Sequence, residues 1–160
     1  MLVSSPRDLK ATLPSARRLA GLDFGSKTIG VAVSDLTLFL ASPLTTIRRT
    51  KFTADATALG ELMRRERVGG LVVGWPVNMD GSEGPRCQSV RQFIANLEAR
   101  PEPLWRELPM LLWDERLSTA AVTRTLIEAD TSRAKRAEVV DKMAAAYILQ
   151  GVLDALRLSA

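Results

Sequence analysis

At 160 residues the chain is expected to form one domain, long enough for a real core and too short for two lobes around a cleft. Its 46% hydrophobic and 25% charged residues match a soluble globular protein, and no apolar run approaches the roughly 18 residues that span a bilayer. A net charge of +4 suits a polyanionic partner; one cysteine, Cys87, and no histidine exclude an internal disulfide, cysteine or histidine zinc sites and imidazole catalysis.

Chemistry therefore falls to carboxylates, hydroxyls, Lys, Arg or a metal held by oxygen. Residues 1–15 carry only Arg7 and Lys10 as cations and no continuous apolar core. They read as a loose leader, not a signal peptide, ahead of a single domain over 16–160, and a cytoplasmic location follows. Residues 17–24 and 29–34 are apolar strands joined as a hairpin by a turn at Gly25. Residues 38–47 make a third strand, which Pro43 makes an edge strand or an interrupted one. Over 53–67, Ala56, Leu59, Leu62 and Met63 recur at helical spacing, with Arg64, Arg65 and Arg67 in the last turn. Gly69 and Gly70 stop that helix before 71–74, a continuously apolar run suited to a buried parallel strand. A loop rich in Gly, Pro, Asn and Asp covers 75–85, and a helix with Val90, Phe93, Ile94 and Leu97 inward covers 86–99. Pro101 and Pro103 break it ahead of a strand at 109–113. Ser118 or Thr119 caps a helix reaching residue 129, residues 131–136 form a polar, basic connection, and the last helix runs over 137–158. This order predicts an α/β fold, a mixed five-stranded sheet, antiparallel first and parallel later, flanked by helices.

Asp23 ends the first strand beside the tight Gly25 turn, whose backbone amides are expected to stand open. That is a place for a metal ion or a phosphate more than for a solvating charge. Asp114 and Glu115 directly follow the strand at 109–113, and α/β sheets gather ligands at the carboxyl ends of parallel strands. Adjacent side chains point to opposite faces, so only one of the two acids can join Asp23, and the longer arm of Glu115 favours it. In the last helix Asp141 shares a stripe with Ala144, Ala145, Ile148, Val152 and Ala155. An acid on a sheet-facing apolar stripe is costly unless a basic side chain or a metal satisfies it. Three carboxylates from two strand ends and one helix can hold two divalent ions about 3.5–4 Å apart and hydrolyse a phosphodiester.

In the loop after the buried strand, Gly74, Gly81 and Gly84 let backbone approach a ligand, while Asn78 and Ser82 offer hydrogen bonds. The candidate nucleic-acid contacts are Gly25, Ser26 and Lys27 at the hairpin turn, Asn78 and Gly81 in the loop, Arg116 and Ser118 after the paired acids, and Lys142 beside the helix acid. Basic clusters at Arg48-Arg49-Lys51, Arg64-Arg65-Arg67 and Arg133-Lys135-Arg136 would widen a phosphate-binding face or remain solvated surface.

Four segments, in this order, together resemble the YqgF/RuvX family: Leu22-Asp23-Phe24-Gly25-Ser26-Lys27-Thr28-Ile29-Gly30, Val73-Gly74-Trp75-Pro76-Val77-Asn78-Met79-Asp80-Gly81, Asp114-Glu115-Arg116-Leu117-Ser118-Thr119 and Asp141-Lys142-Met143-Ala144-Ala145. Its members are bacterial Holliday-junction resolvases, also described as nucleases that mature the small-subunit (16S) ribosomal RNA precursor. The resemblance implies a ribonuclease H-like fold and an Mg²⁺- or Mn²⁺-dependent nuclease, with Asp23, Glu115 and Asp141 as catalytic acids and metal ligands. The leader has no counterpart in that pattern, and Trp75 stands where a smaller aliphatic residue is expected.

Processing of structured or single-stranded RNA needs one site and a groove, whereas symmetric cleavage of a four-way DNA junction favours a dimer. No heptad or dimer stripe stands out, which favours RNA with the junction second and leaves monomer or homodimer open. Two rivals belong to other classes. The Asp23–Thr28 turn also resembles the phosphate loop of actin-like and sugar-kinase ATPases, which need two such domains around a cleft. A non-catalytic nucleic-acid-binding module would keep the fold and lose turnover.

Overall fold

The computed structural model describes residues 1–117 and 133–158, and for 133–141 only the course of the helix. In chain order the elements are β1 (Leu2–Val3), α1 (Pro6–Thr12), β2 (Arg18–Phe24), β3 (Thr28–Ser34), β4 (Ala41–Arg48), α2 (Phe52–Arg65), β5 (Val68–Trp75), α3 (Pro85–Glu98), α4 (Pro103–Glu107), β6 (Met110–Asp114), a 3-10 turn (Glu115–Leu117) and α5 (Arg133–Leu158). The sheet runs β1-β6-β5-β2-β3-β4. The β2–β3 and β3–β4 pairs are antiparallel, and β5 pairs parallel with both β2 and β6. The mixed α/β architecture is as expected, but the sheet has six strands among the described residues, not five.

The extra strand comes from the segment expected to be loose. Leu2 and Val3 pair parallel with Met110 and Leu111 of β6. Ser5 then caps α1, its side chain accepting from the Asp8 amide at 3.1 Å, and Pro6 supplies a pre-set φ at the helix start. Leu9 is fully buried. A two-residue strand and a seven-residue helix with one fully buried side chain carry no periodicity, which is why this segment read as a leader. A second difference is α4, where Pro103 starts a short helix that places Trp105 in the core. A third is the start of α5 at Arg133, within the expected polar connection, since Arg, Ala and Lys all favour helix. The helix expected from Ser118 or Thr119 to residue 129 lies outside the described residues.

Alternation along the strands divides two apolar layers. Ala20, Leu22 and Phe24 join Leu59, Met63, Val90 and Phe93 of α2 and α3 on one side. Leu19, Val72 and Leu111 join Ala145, Ile148, Leu149 and Val152 of α5 on the other. β4 is the edge strand, as Pro43 allowed, and its register slips between Thr45 and Pro43, skipping Leu44.

At Gly21 the helix lies directly on the strand: a Cβ there would stand 2.7 Å from the Ala145 carbonyl oxygen and 2.8 Å from Leu149 Cβ. Backbone cannot swing aside as a side-chain tip can. Gly21→Ala should cost about 1–3 kcal/mol by overpacking, lowering Tm by roughly 2–4 °C per kcal/mol. An unchanged Tm would mean that α5 sits farther from β2.

The turn between β3 and β4 is tied by Asp35, whose carboxylate accepts from the Thr37 hydroxyl and from the Phe39 and Leu40 amides at 2.7 and 3.0 Å. The Thr37 hydrogen bond, followed by the Leu40 amide, lowers the Asp35 pKa from 3.8 to about 2. A carboxyl whose folded pKa lies below its unfolded value stabilises the fold above the unfolded pKa. That stability is lost as pH falls through the folded value. In urea melts, the stability gap between wild type and Asp35→Ala should therefore close between about pH 4 and pH 2. A constant gap would show that the turn does not depend on the charge.

Candidate active site

Leu22 of β2 pairs with Val73 of β5, so the next residue, Asp23, comes level with Gly74 on the neighbouring strand. Gly74 in turn pairs with Trp113 of β6. The chain then enters the 3-10 turn, and Glu115 folds back over the sheet. Its Oε1 lies 2.8 Å from where a Gly74 Cβ would stand, with Ile148 Cδ1 of α5 at 2.6 Å from the same point. The missing side chain at Gly74 is thus what makes room for the Glu115 carboxylate beside the strand that carries Asp23. Both acids are buried, Asp23 at 1% and Glu115 at 6% exposure. Asp23 follows Gly21 in the alternation, which turns it toward the same face, the one covered by α5.

The helix runs antiparallel to β2. Gln150 accepts from the Ala41 amide, and Ala41 pairs with Ser34 at the far end of the sheet from Asp23. From Gly21 to Asp23 the strand advances about 6.6 Å. One turn back along α5 from Ala145, about 6 Å, reaches residue 141. Residue 141 therefore lies on the Asp23 side of the Gly21 crossing. The side chain of Asp141 lies outside the described residues, as does Ser118. Among the described residues no cluster of three acids forms. An all-oxygen donor set of buried carboxylates, with no histidine in the chain and its one cysteine buried on the inner face of α3, fits a hard divalent ion.

Asp114 takes the other direction. Its carboxylate accepts from Arg116 Nε at 3.1 Å and Nη2 at 2.7 Å, and from the Arg116 backbone amide at 2.9 Å. The Arg116 hydrogen bond holds Asp114 below the usual carboxylate range, and the same contact raises Arg116. Arg116 Nη1 then donates to the Met79 carbonyl at 3.3 Å. Most of this guanidinium is thus occupied in tying loop 76–84 to the strand end that carries Glu115.

The loop is itself ordered by polar contacts. The Asn78 amide donates to the Ser82 carbonyl at 2.9 Å and Gly81 to the Asn78 carbonyl at 2.8 Å. Gly81 adopts φ +88°, a left-handed turn that favours glycine. Between the loop, the start of α3 and Glu115 lies an open cleft of about 290 Å³.

The remaining expected contacts fall in different places. The Gly25 amide is not open: it donates to the Thr28 carbonyl at 2.9 Å and closes the hairpin. Ser26 and Lys27 are exposed at its tip, and Lys142 is half-buried on α5. Asn78 lines the cleft, and Gly81 sits against Arg116. Two arginines escaped notice as individual residues. Arg49 stacks on the Phe24 ring at 4.3 Å and donates to the Gly25 and Ser26 carbonyls at 2.7 and 3.0 Å, bracing the hairpin. Arg86 lines the cleft. Its position after Pro85 read only as a helix start.

Residues 17–155 match the RuvX family model, described as Holliday junction resolvase. The chain belongs to the RuvX family. It is 61% identical over 154 residues to the "Putative pre-16S rRNA nuclease" of Paramagnetospirillum magneticum, covering 96% of each chain. A protein of the same name from Roseobacter denitrificans is 57% identical over 157 residues, covering 98% of this chain and 94% of the relative. Among solved structures, Thermus thermophilus RuvC in complex with a Holliday junction substrate superposes with a TM-score of 0.52 at 12% identity. That alignment covers 88% of this RuvX chain and 96% of RuvC. The fold is ribonuclease H-like, as the resemblance implied. Among the described residues no helix is long and apolar enough to cross a membrane.

Proposed function

We propose that this RuvX chain is a divalent-metal-dependent nuclease that hydrolyses phosphodiester bonds in the precursor of 16S rRNA, acting in the cytoplasm. The observation that carries the reading is the placement of two buried carboxylates, Asp23 and Glu115, on one face at the ends of β2 and β6, the two strands that flank β5. Two carboxylates on one buried face offer hard oxygen donors of the kind that a divalent cation takes. Asp23, Glu115 and Asp141 would hold Mg²⁺ or Mn²⁺, as two ions, with the third acid supplied from the helix turn on the Asp23 side of the Gly21 crossing. The bound ions would polarise the phosphate, lower the pKa of an attacking water and neutralise the leaving oxygen.

The chain's own residues set the geometry. Asp23 is held by pairing with Gly30 of β3, and the preceding Leu22 by pairing with Val73 of β5. Glu115 lies over Gly74, and Ile148 Cδ1 approaches the same point. Ser26, Lys27, Ser118 and Lys142 would meet the phosphates on either side of the acids. The RNA substrate is supported by the names of relatives more than half identical over nearly the whole chain. The family description supports a second reading, cleavage of a four-way DNA junction.

Labelled 16S precursor RNA and a four-way junction, incubated with Mn²⁺, Mg²⁺ or EDTA, separate these readings. RNA cut with either metal and intact in EDTA is the expected result. Symmetric nicking of the junction with RNA left whole would move the junction reading to the front. Binding without turnover in any metal would make the chain a nucleic-acid-binding module.

A further inference from the structure

The cleft beside Glu115 is too small for a duplex; its volume of about 290 Å³ is at the lower end of small-ligand pockets. Val77, Met79 and Pro85 give it apolar walls, and Asn78, Arg86 and Arg116 give it polar ones.

The orientation of the Asn78 amide is set by its neighbours. Ser82 Oγ donates to Asp80 at 2.6 Å, so its lone pair is what accepts from Asn78 Nδ2 at 2.9 Å. Among the described residues Asn78 Oδ1 and its second N–H take no hydrogen bond, leaving one acceptor beside one donor, the pattern that matches the edge of a base. Gly84 packs beside this amide, where a Cβ would stand in ordinary contact at 3.5 Å from Nδ2. Arg86 is exposed, and its side chain makes no hydrogen bond or ion pair among the described residues. Arg116, in contrast, is held by Asp114 and Met79.

We propose that this cleft receives one unpaired nucleotide of the RNA strand, next to the phosphate that is cut. Its base lies against Val77, Met79 and Pro85, its edge meets the Asn78 amide, and its phosphate faces Arg86. The inference rests on the nuclease reading for the identity of the neighbouring site, and deepens it by naming an unpaired strand as the form of substrate taken. A base still paired to a complementary strand cannot enter so narrow a space without leaving its stack.

An abasic scan tests this. Single-stranded RNA from the 16S precursor end, with one abasic nucleotide placed at each position in turn, is titrated with the full chain in EDTA by fluorescence anisotropy. The same RNAs are incubated with Mn²⁺ in parallel. One position should lose about 10-fold in affinity when abasic, as for a base stacked on a protein. Val77→Trp, which fills the cleft, should weaken intact RNA to the same degree and bind RNA abasic at that position as wild type does. Arg86→Ala should weaken both RNAs alike and reduce the salt slope by about 1, as for a single phosphate contact. Equal losses at every position overturn the proposal, as does a Val77→Trp protein that keeps the positional effect, or equal affinity for RNA sealed by its complement. The positional signature without cleavage in Mn²⁺ would leave the cleft standing and remove the nuclease reading. Cleavage without the signature would do the reverse.

Discussion

Asp23→Asn is expected to reduce metal-dependent cleavage on the order of 10³-fold or more, the several kcal/mol of charge stabilisation that a bound metal supplies. Asn keeps the shape and one oxygen and removes the charge. Asp23 is 1% exposed, so in this position solvent cannot replace what the carboxylate does for a cation. The same substitution has a readout that does not depend on turnover. A metal that binds only the folded protein stabilises it by about 2.7 kcal/mol at a hundredfold excess over Kd. For a chain of this size that is a rise in Tm of roughly 5–10 °C. Wild type should show this rise with Mn²⁺, and Asp23→Asn should lose most of it. A variant that cuts RNA as well as wild type would mean that the cleavage comes from another protein. A variant with an intact metal-dependent Tm would place the ion elsewhere.

The parts of the molecule that were legible in sequence share one property: their signal is local. The hairpin of β2 and β3 was visible because apolar runs flank Gly25, and β5 because a continuous apolar run follows two glycines. An edge or interrupted β4 followed from Pro43 lacking an N–H. What could not be read depended on partners distant in sequence. The β1 strand exists only because β6 offers it an edge, and α1 only because Leu9 has a core to enter. Gly25 looked like an amide donor to a ligand, and the hairpin uses that donor internally.

The acids show the same division. That only one of Asp114 and Glu115 can share a face with Asp23 followed from strand alternation. What positions Glu115 is the space over Gly74, on another strand, and what occupies Asp114 is its neighbour Arg116. Arg116 itself looked like a phosphate contact from its charge alone. Its bond to Met79 makes it a tie between loop and strand end, and no local pattern announces such a tie. Arg86 is the converse case, a residue with nothing to mark it in sequence that the fold brings to the cleft beside Glu115.

Gly74→Ala separates geometry from stability at this site. The added methyl would meet Glu115 Oε1 at 2.8 Å and Ile148 Cδ1 at 2.6 Å, both below any normal contact. Neither obstacle is backbone, so the fold can adapt: Ile148 changes rotamer and the Glu115 carboxylate swings away. The stability cost should stay near the lower end of overpacking, about 1 kcal/mol. Activity is far less forgiving, because displacing a catalytic group by about 1 Å can cost on the order of 10²-fold. Gly74→Ala should therefore melt within a few degrees of wild type, roughly 2–4 °C lower, while losing most of its cleavage. Gly21→Ala, where the obstacle is the helix backbone, should show the opposite balance, with stability falling first. If Gly74→Ala retained full activity, Glu115 could not be acting from over Gly74, and Asp114, on the other side of the strand, would have to be reconsidered as the second acid.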